Sequence, residues 1–159
     1  MADLYAVAGT KIYIGGTKAT QTTDFVASDF SGESWTEIDG WETMGAIGDA
    51  AQSIVTQLVN RGRDLKQKGT RNAGSMQNNF AIVNGDAGQA AMKAAEASTS
   101  NYAFRVVYDD VPSGGSTPTT QYFIGLVMTW QDQGGGANTV RMKQGTIEIN
   151  SNIVQVDAA

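Results

Sequence analysis

The densest chemistry in this sequence is one short basic run. Asn60-Arg61-Gly62-Arg63-Asp64-Leu65-Lys66-Gln67-Lys68-Gly69-Thr70-Arg71 carries Arg61, Arg63, Lys66, Lys68 and Arg71 against one acid, Asp64, a balance of +4. These are five of the eleven Lys and Arg residues of the chain. Residues 1–50 hold eight acids (Asp3, Asp24, Asp29, Glu33, Glu37, Asp39, Glu42, Asp49) against Lys11 and Lys18, a balance of −6. The chemistry open to the run is anion binding, and three readings stand. It is a solvated hairpin loop beside an unrelated acidic surface; or a nucleic-acid contact, weakened because no aromatic stands ready to stack on bases; or a contact between copies, basic loop to acidic region. That last contact is heterologous and propagates into rings or filaments.

The remaining candidates are weaker. With no Cys there is no disulfide, thiolate metal site or cysteine nucleophile, and with no His the commonest general base and metal ligand are gone. Only carboxylate catalysis and oxygen-ligated cations stay open. Gly45-Ala46-Ile47-Gly48 and Gly134-Gly135-Gly136 lack the Lys-Ser/Thr and the strand-to-helix setting of a phosphate loop, so they read as turns. Asp109-Asp110 opens a flexible loop with no third ligand at calcium-loop spacing. Trp35, Trp41 and Trp130 are core or interface residues, or else a sugar-stacking platform. The chain is expected not to be an enzyme, with no catalytic, metal or cofactor residue assigned.

The elements that must position the basic run are mostly strands. At 159 residues the chain suits one domain, 1–159, and its 41% hydrophobic content allows a packed core. Nineteen Gly against two Pro make glycine the turn former. Thr10–Gly16 reads as a strand ended by a Gly-Gly turn, and residues 1–32 as a partly extended arm or loop with Phe25, Val26 and Phe30 as anchors. Ser34–Ile38 reads as a strand followed by the hairpin pair Asp39-Gly40. Ser53–Val59 is apolar on both faces, as for a strand covered on both sides. The basic run lies in a long loop over 60–74. Ser75–Val83 sets Met76, Phe80 and Ile82 against Gln77 and Asn79. Asp86 caps an alanine-rich helix, with Gln89 in the capping-box place. Tyr102–Tyr108 follows as a strand, then Tyr122–Trp130 with Tyr122, Ile124, Leu126, Met128 and Trp130 on one face. Thr139–Val156 is one long strand or two, broken near Asn150-Ser151-Asn152. The fold class is mainly β with one α-helix, a sandwich or a barrel-like sheet.

The net charge of −5 and the pI near 4.5 disfavour nucleic-acid binding over the whole surface. No apolar run approaches the ~20 residues of a membrane span, and Met1–Gly9 lacks the pattern of a signal peptide. A soluble cytoplasmic product with no membrane insertion is expected.

In order and pattern the sequence resembles the major tail (tail tube) proteins of long-tailed, siphovirus-type bacteriophages. The carrying residues are Trp35-Thr36-Glu37-Ile38-Asp39-Gly40-Trp41, Asn60-Arg61-Gly62-Arg63-Asp64 with Lys68-Gly69, the helix entry Asp86-Ala87-Gly88-Gln89 and the terminal hairpin region, from about Ile12 to Val154. The resemblance implies a β-sandwich or partial barrel flanked by a helix, in hexameric rings that stack into a hollow tube conducting DNA. It implies sheets joined into one continuous inner barrel, an acidic lumen, and a loop, here 60–74, that reaches the neighbouring ring. It further implies the chain itself, tape measure, tail terminator and baseplate proteins as partners, transient passage of DNA, and a place in the virion after synthesis in the bacterial cytoplasm. The alternatives are a tube subunit of a contractile injection or secretion system and, from another class, a carbohydrate-binding β-sandwich.

Overall fold

The computed structural model describes residues 4–159. Its strands are β1 (Lys11–Thr17), β2 (Thr36–Glu37), β3 (Trp41–Thr43), β4 (Ala50–Thr56), β5 (Leu65–Asn72), β6 (Ser75–Ala81), β7 (Tyr102–Val107), β8 (Thr120–Gln133), β9 (Met142–Ile149) and β10 (Val154–Val156). One helix, α1 (Ala87–Ala97), and a 3-10 turn at Ala27–Phe30 complete the elements. Eight strands make one antiparallel sheet in the order β2-β1-β7-β8-β9-β6-β3, with β10 beside β8, while β4 and β5 pair only with each other.

Sheet order and chain connectivity together dictate the shape. Laid flat, the six gaps between β2 and β3 would span roughly 29 Å at about 4.8 Å per gap. Yet the two strands are joined by residues 38–40, whose reach is at most about 14 Å. The sheet must therefore curl until its ends nearly meet, which decides for the barrel-like form over a flat sandwich.

This corrects the reading of Asp39-Gly40 as a hairpin turn between paired strands. Gly40 does turn the chain at φ +77°, but β2 pairs with β1 and β3 with β6. A Cβ at Gly40 would lie 2.2 Å from the Ala81 carbonyl oxygen, so only glycine fits the crossing. The helix seals the same place. A Cβ at Gly88 would stand 2.1 Å from the Glu37 carbonyl oxygen, so α1 rests directly on the crossing backbone.

The main core fills the curl. Ile12, Ile14, Phe104, Val106, Phe123, Val127, Met76, Phe80 and Ile147 meet Met92 and Ala95 of the helix. A second cluster, Phe25, Phe30, Ala103 and Ile124 with Trp35 and Tyr122, lies on the other side of the sheet under residues 18–35. Phe25 and Phe30 are thus true anchors, whereas Val26 is 56% exposed. Asn152 ties this segment down, accepting from the Phe25 N–H (2.8 Å) and donating to its carbonyl (3.0 Å).

Two irregularities redirect side chains. Gly15-Gly16 do not end β1; they sit in a register shift between Ile14 and Thr17, and the strand continues. In β8 a shift between Val127 and Thr129 breaks the single face expected for Tyr122–Trp130. Tyr122 and Ile124 join the second cluster, while Trp130 packs against Phe80 in the first. Alternation cannot reveal such an extra residue, because a bulge exchanges faces without changing residue types. The break at Asn150–Asn152 separates β9 from β10 as expected, both lying along β8.

Candidate assembly and channel surfaces

The basic residues sit on a hairpin built away from the body. Leu65–Asn72 is a strand, not the loop expected over 60–74; the tip is 57–64. Solvated Lys, Gln and Thr side chains give this strand no apolar alternation to read, and its pairing is made by the backbone. Nor is the partner strand covered on both sides: every residue of β4 is exposed, Ile54 at 47% and Val55 at 50%.

The register fixes which side chains share a face. Ser53 stands opposite Lys68, Val55 opposite Lys66, and Ala51 opposite Arg71. Ile54 faces Gln67 and Thr56 faces Leu65 on the other side. A Cβ at Gly69 would lie 3.2 Å from Ile54 Cγ1, which places Gly69 on that second face also. One face of the hairpin therefore carries Lys66, Lys68 and Arg71, and the other carries no charge.

Within the chain, Arg71 Nε lies 3.6 Å from Asp49 Oδ2. Among the described residues Arg61, Arg63, Lys66 and Lys68 have no carboxylate within 4 Å. The acids of residues 1–50 are carried by several elements. Glu37 on β2 pairs with Lys11 at 3.7 Å, and Glu42 on β3 follows across the crossing at residues 38–40. Glu33 accepts from the Gly16 N–H and Asp29 from the Val26 N–H. Asp3 lies outside the described residues.

A second surface spans three neighbouring strands. Gln77 of β6 pairs with Thr146 of β9, and Thr146 with Thr129 of β8; Asn79, Gln144 and Gln131 form the next row. These rows, with Ser75 and Glu148, lie on the side away from Met76, Phe80 and Ile147. They contain one acid and no Lys or Arg. The second cluster does not reach them, so this stretch of wall is wet. The edge of the sheet is stepped here as well, since β7 pairs with β8 only as far as Gly125 and leaves Leu126–Gln133 paired on one side.

Two buried polar residues hold these surfaces in place. Asn78 is 1% exposed; its Oδ1 accepts from Trp41 Nε1–H (3.1 Å) and the Gly45 N–H (2.9 Å), fixing the segment that leads into the hairpin. Its signal was in the sequence, for parity places it between Met76 and Phe80 on the core side. Asp86 caps α1 as expected, accepting from the Gln89 N–H at 2.9 Å. The Gln89 side chain does not return to Asp86; it donates to the Asp39 and Ala81 carbonyls at 2.8 Å each and accepts from the Val83 N–H. It thereby stitches the barrel crossing to the end of β6.

The acid pair opening the 109–119 loop is not set up as a pair of cation ligands. Both Asp110 oxygens are taken by Thr119, through its N–H (2.7 Å) and its hydroxyl, which hold the carboxyl below its ordinary value. The Asp110 charge and, chiefly, burial raise Tyr108. The tryptophans make no common platform. Trp41 and Trp130 flank Phe80, while Trp35 belongs to the second cluster, 5.1 Å from the Arg105 guanidinium.

No family model matches the sequence, and no curated protein matches it. Solved structures do match in fold. A structure of the SPP1 tail tube aligns with a TM-score of 0.68 at 14% identity, over 96% of this chain and 80% of that one. A chain of the anti-feeding prophage baseplate aligns at 0.66 and 12% identity, over 99% and 98%. A chain of the extracellular contractile injection system PVC, in its extended sheath–tube complex, aligns at 0.65 and 8% identity, over 98% and 93%. The fold, a mostly β curled sheet with one helix, is thus that of tail-tube-type proteins.

Proposed function

We propose that the chain is a structural subunit of a phage-type tail tube. Copies join side by side into hexameric rings, the rings stack head to tail, and the hollow product conducts DNA into the host. One observation carries this reading: residues 50–72 form a ribbon that, among the described residues, pairs only with itself and is solvated on both faces. A lone two-stranded hairpin is marginal in water. A second molecule supplies the missing support, and the unmatched cations of the hairpin supply an attraction to an otherwise acidic body.

The wet face of β6, β9 and β8 supports the conduit. Affinity for DNA comes mainly from Lys and Arg on phosphates; a wall of Gln, Asn and Thr without a cation lets a polyanion pass. The likeness to the SPP1 tail tube agrees with this. On the same reading the partners are other copies, a tape measure, a tail terminator and a baseplate, and the place of action is the virion. A tube subunit of a contractile injection system is a second reading, favoured by the anti-feeding prophage and PVC likenesses; a sheath protein co-purifying with the tube would decide for it.

The test is charge reversal. Arg61, Arg63, Lys66 and Lys68 are changed together to Glu, while Arg71, already engaged by Asp49, is kept. The fold is expected to survive, as judged by circular dichroism, and tube growth to stop. Normal tubes in electron micrographs of this variant would retire the proposal.

A further inference from the structure

Resting on the tube-subunit reading, we infer that the two faces of the β4–β5 hairpin meet second copies of this chain by different forces. The uncharged face, centred on Ile54 and Leu65, seats by apolar burial; the face carrying Lys66 and Lys68 is held by charge.

The register divides the residues from Ser53 to Thr56 and Leu65 to Lys68, ahead of a shift that leaves Gly69 unpaired. Ile54 and Leu65 lie on the face shared with Thr56, Gln67 and Gly69, and are 47% and 42% exposed. Gly69 is the close-packing position on that face, its missing side chain leaving Ile54 room to lie flat. Exposed Ile and Leu on a ribbon with no core beneath it are costly in water, and their burial is not weakened by charge screening. Lys66 and Lys68 occupy the opposite face beside Ser53 and Val55, with no carboxylate within 4 Å among the described residues.

The charge balance makes the occupant of the charged face a second copy, and the ribbon is two strands wide, so its uncharged face enters the same assembly. Residues 50–72 carry +4 in a chain of net −5, which leaves −9 on everything else. Among the described residues only Glu37, Asp49 and Asp132 have a Lys or Arg within 4 Å. The body of any copy is therefore net acidic and attracts the hairpin of another, and that attraction is screened by salt. The uncharged face is not weakened in that way. Two faces with two salt responses give the hairpin a defined side.

The experiment compares the full-length chain with Ile54→Ser/Leu65→Ser and with Lys66→Gln/Lys68→Gln, by sedimentation velocity across protein concentrations at low and high NaCl. Circular dichroism checks that each is folded, which the exposure of all four positions favours. The serine pair is expected to raise the concentration needed for assembly about tenfold or more at every salt concentration. The glutamine pair should raise it about threefold at low salt and flatten the salt response.

Assembly of the serine pair at the unaltered threshold would overturn the inference while leaving the tube reading intact. So would a glutamine pair that keeps the full salt response. A glutamine pair that assembles normally but loses retention of a DNA duplex would overturn it in favour of a nucleic-acid face. An unaltered chain that stays monomeric throughout would overturn both the inference and the tube reading.

Discussion

At the residue scale, the side chains that matter most for the architecture are amides rather than charges. Gln89 makes three hydrogen bonds across the barrel crossing from a site only 8% exposed. Gln89→Ala would strand the Asp39 and Ala81 carbonyls and the Val83 N–H. At about 1 kcal/mol for each unmade part-buried bond, a loss of roughly 1–3 kcal/mol is expected in urea unfolding; a loss under about 0.5 kcal/mol would show that these groups find other partners. Asp110 gives a pH prediction. Its folded-state value is depressed by the Thr119 hydrogen bonds, so its contribution is present above the unfolded carboxyl value and is lost as pH falls through the folded one. Asp110→Asn keeps an acceptor for Thr119 but no ionisation, so its melting temperature should fall less steeply than that of the unaltered chain below about pH 4. Parallel profiles would remove Asp110 from the acid limb. The sequence showed the Asp86 cap because capping is local chemistry; it concealed the destination of the Gln89 side chain, because its acceptors lie 50 and 8 residues away.

At the element scale, strands were legible where one face is dry and obscure where both are wet. β7 and the core of β8 announce themselves by Phe104, Val106 and Phe123, and the break at Asn150–Asn152 by its polarity. β5 has no dry face, so its residues read as loop although the backbone pairs along its length. β3 and the crossing at Gly40 were missed for a different reason, since an Asp-Gly turn states that the chain bends but not which strands it then joins. The wet rows of β6, β9 and β8 carry a prediction of their own. Gln77→Lys with Gln131→Lys adds two cations to exposed positions of that wall. Assembly should proceed unaltered, and the tubes should now retain double-stranded DNA in a salt-sensitive manner. Loss of assembly would place this face in an interface between subunits instead.

At the scale of the whole molecule, the sheet nearly closes on itself through residues 38–40, the helix covers the crossing, and what remains unsatisfied points outward. Those unsatisfied features are the hairpin ribbon, the stepped edge of β8 beyond Gly125 and the hairpin cations that have no carboxylate within 4 Å among the described residues. Edges and ribbons of this kind are hazards on a solitary protein and joints in an assembly. The same curled sheet occurs in a chain of the SPP1 tail tube structure. The purified chain, concentrated and viewed by negative-stain electron microscopy after size-exclusion chromatography, tests this most directly. Six-fold rings or stacked tubes with an open centre are the predicted result. A single monomeric peak at every concentration, with no rings on the grid, would contradict the account.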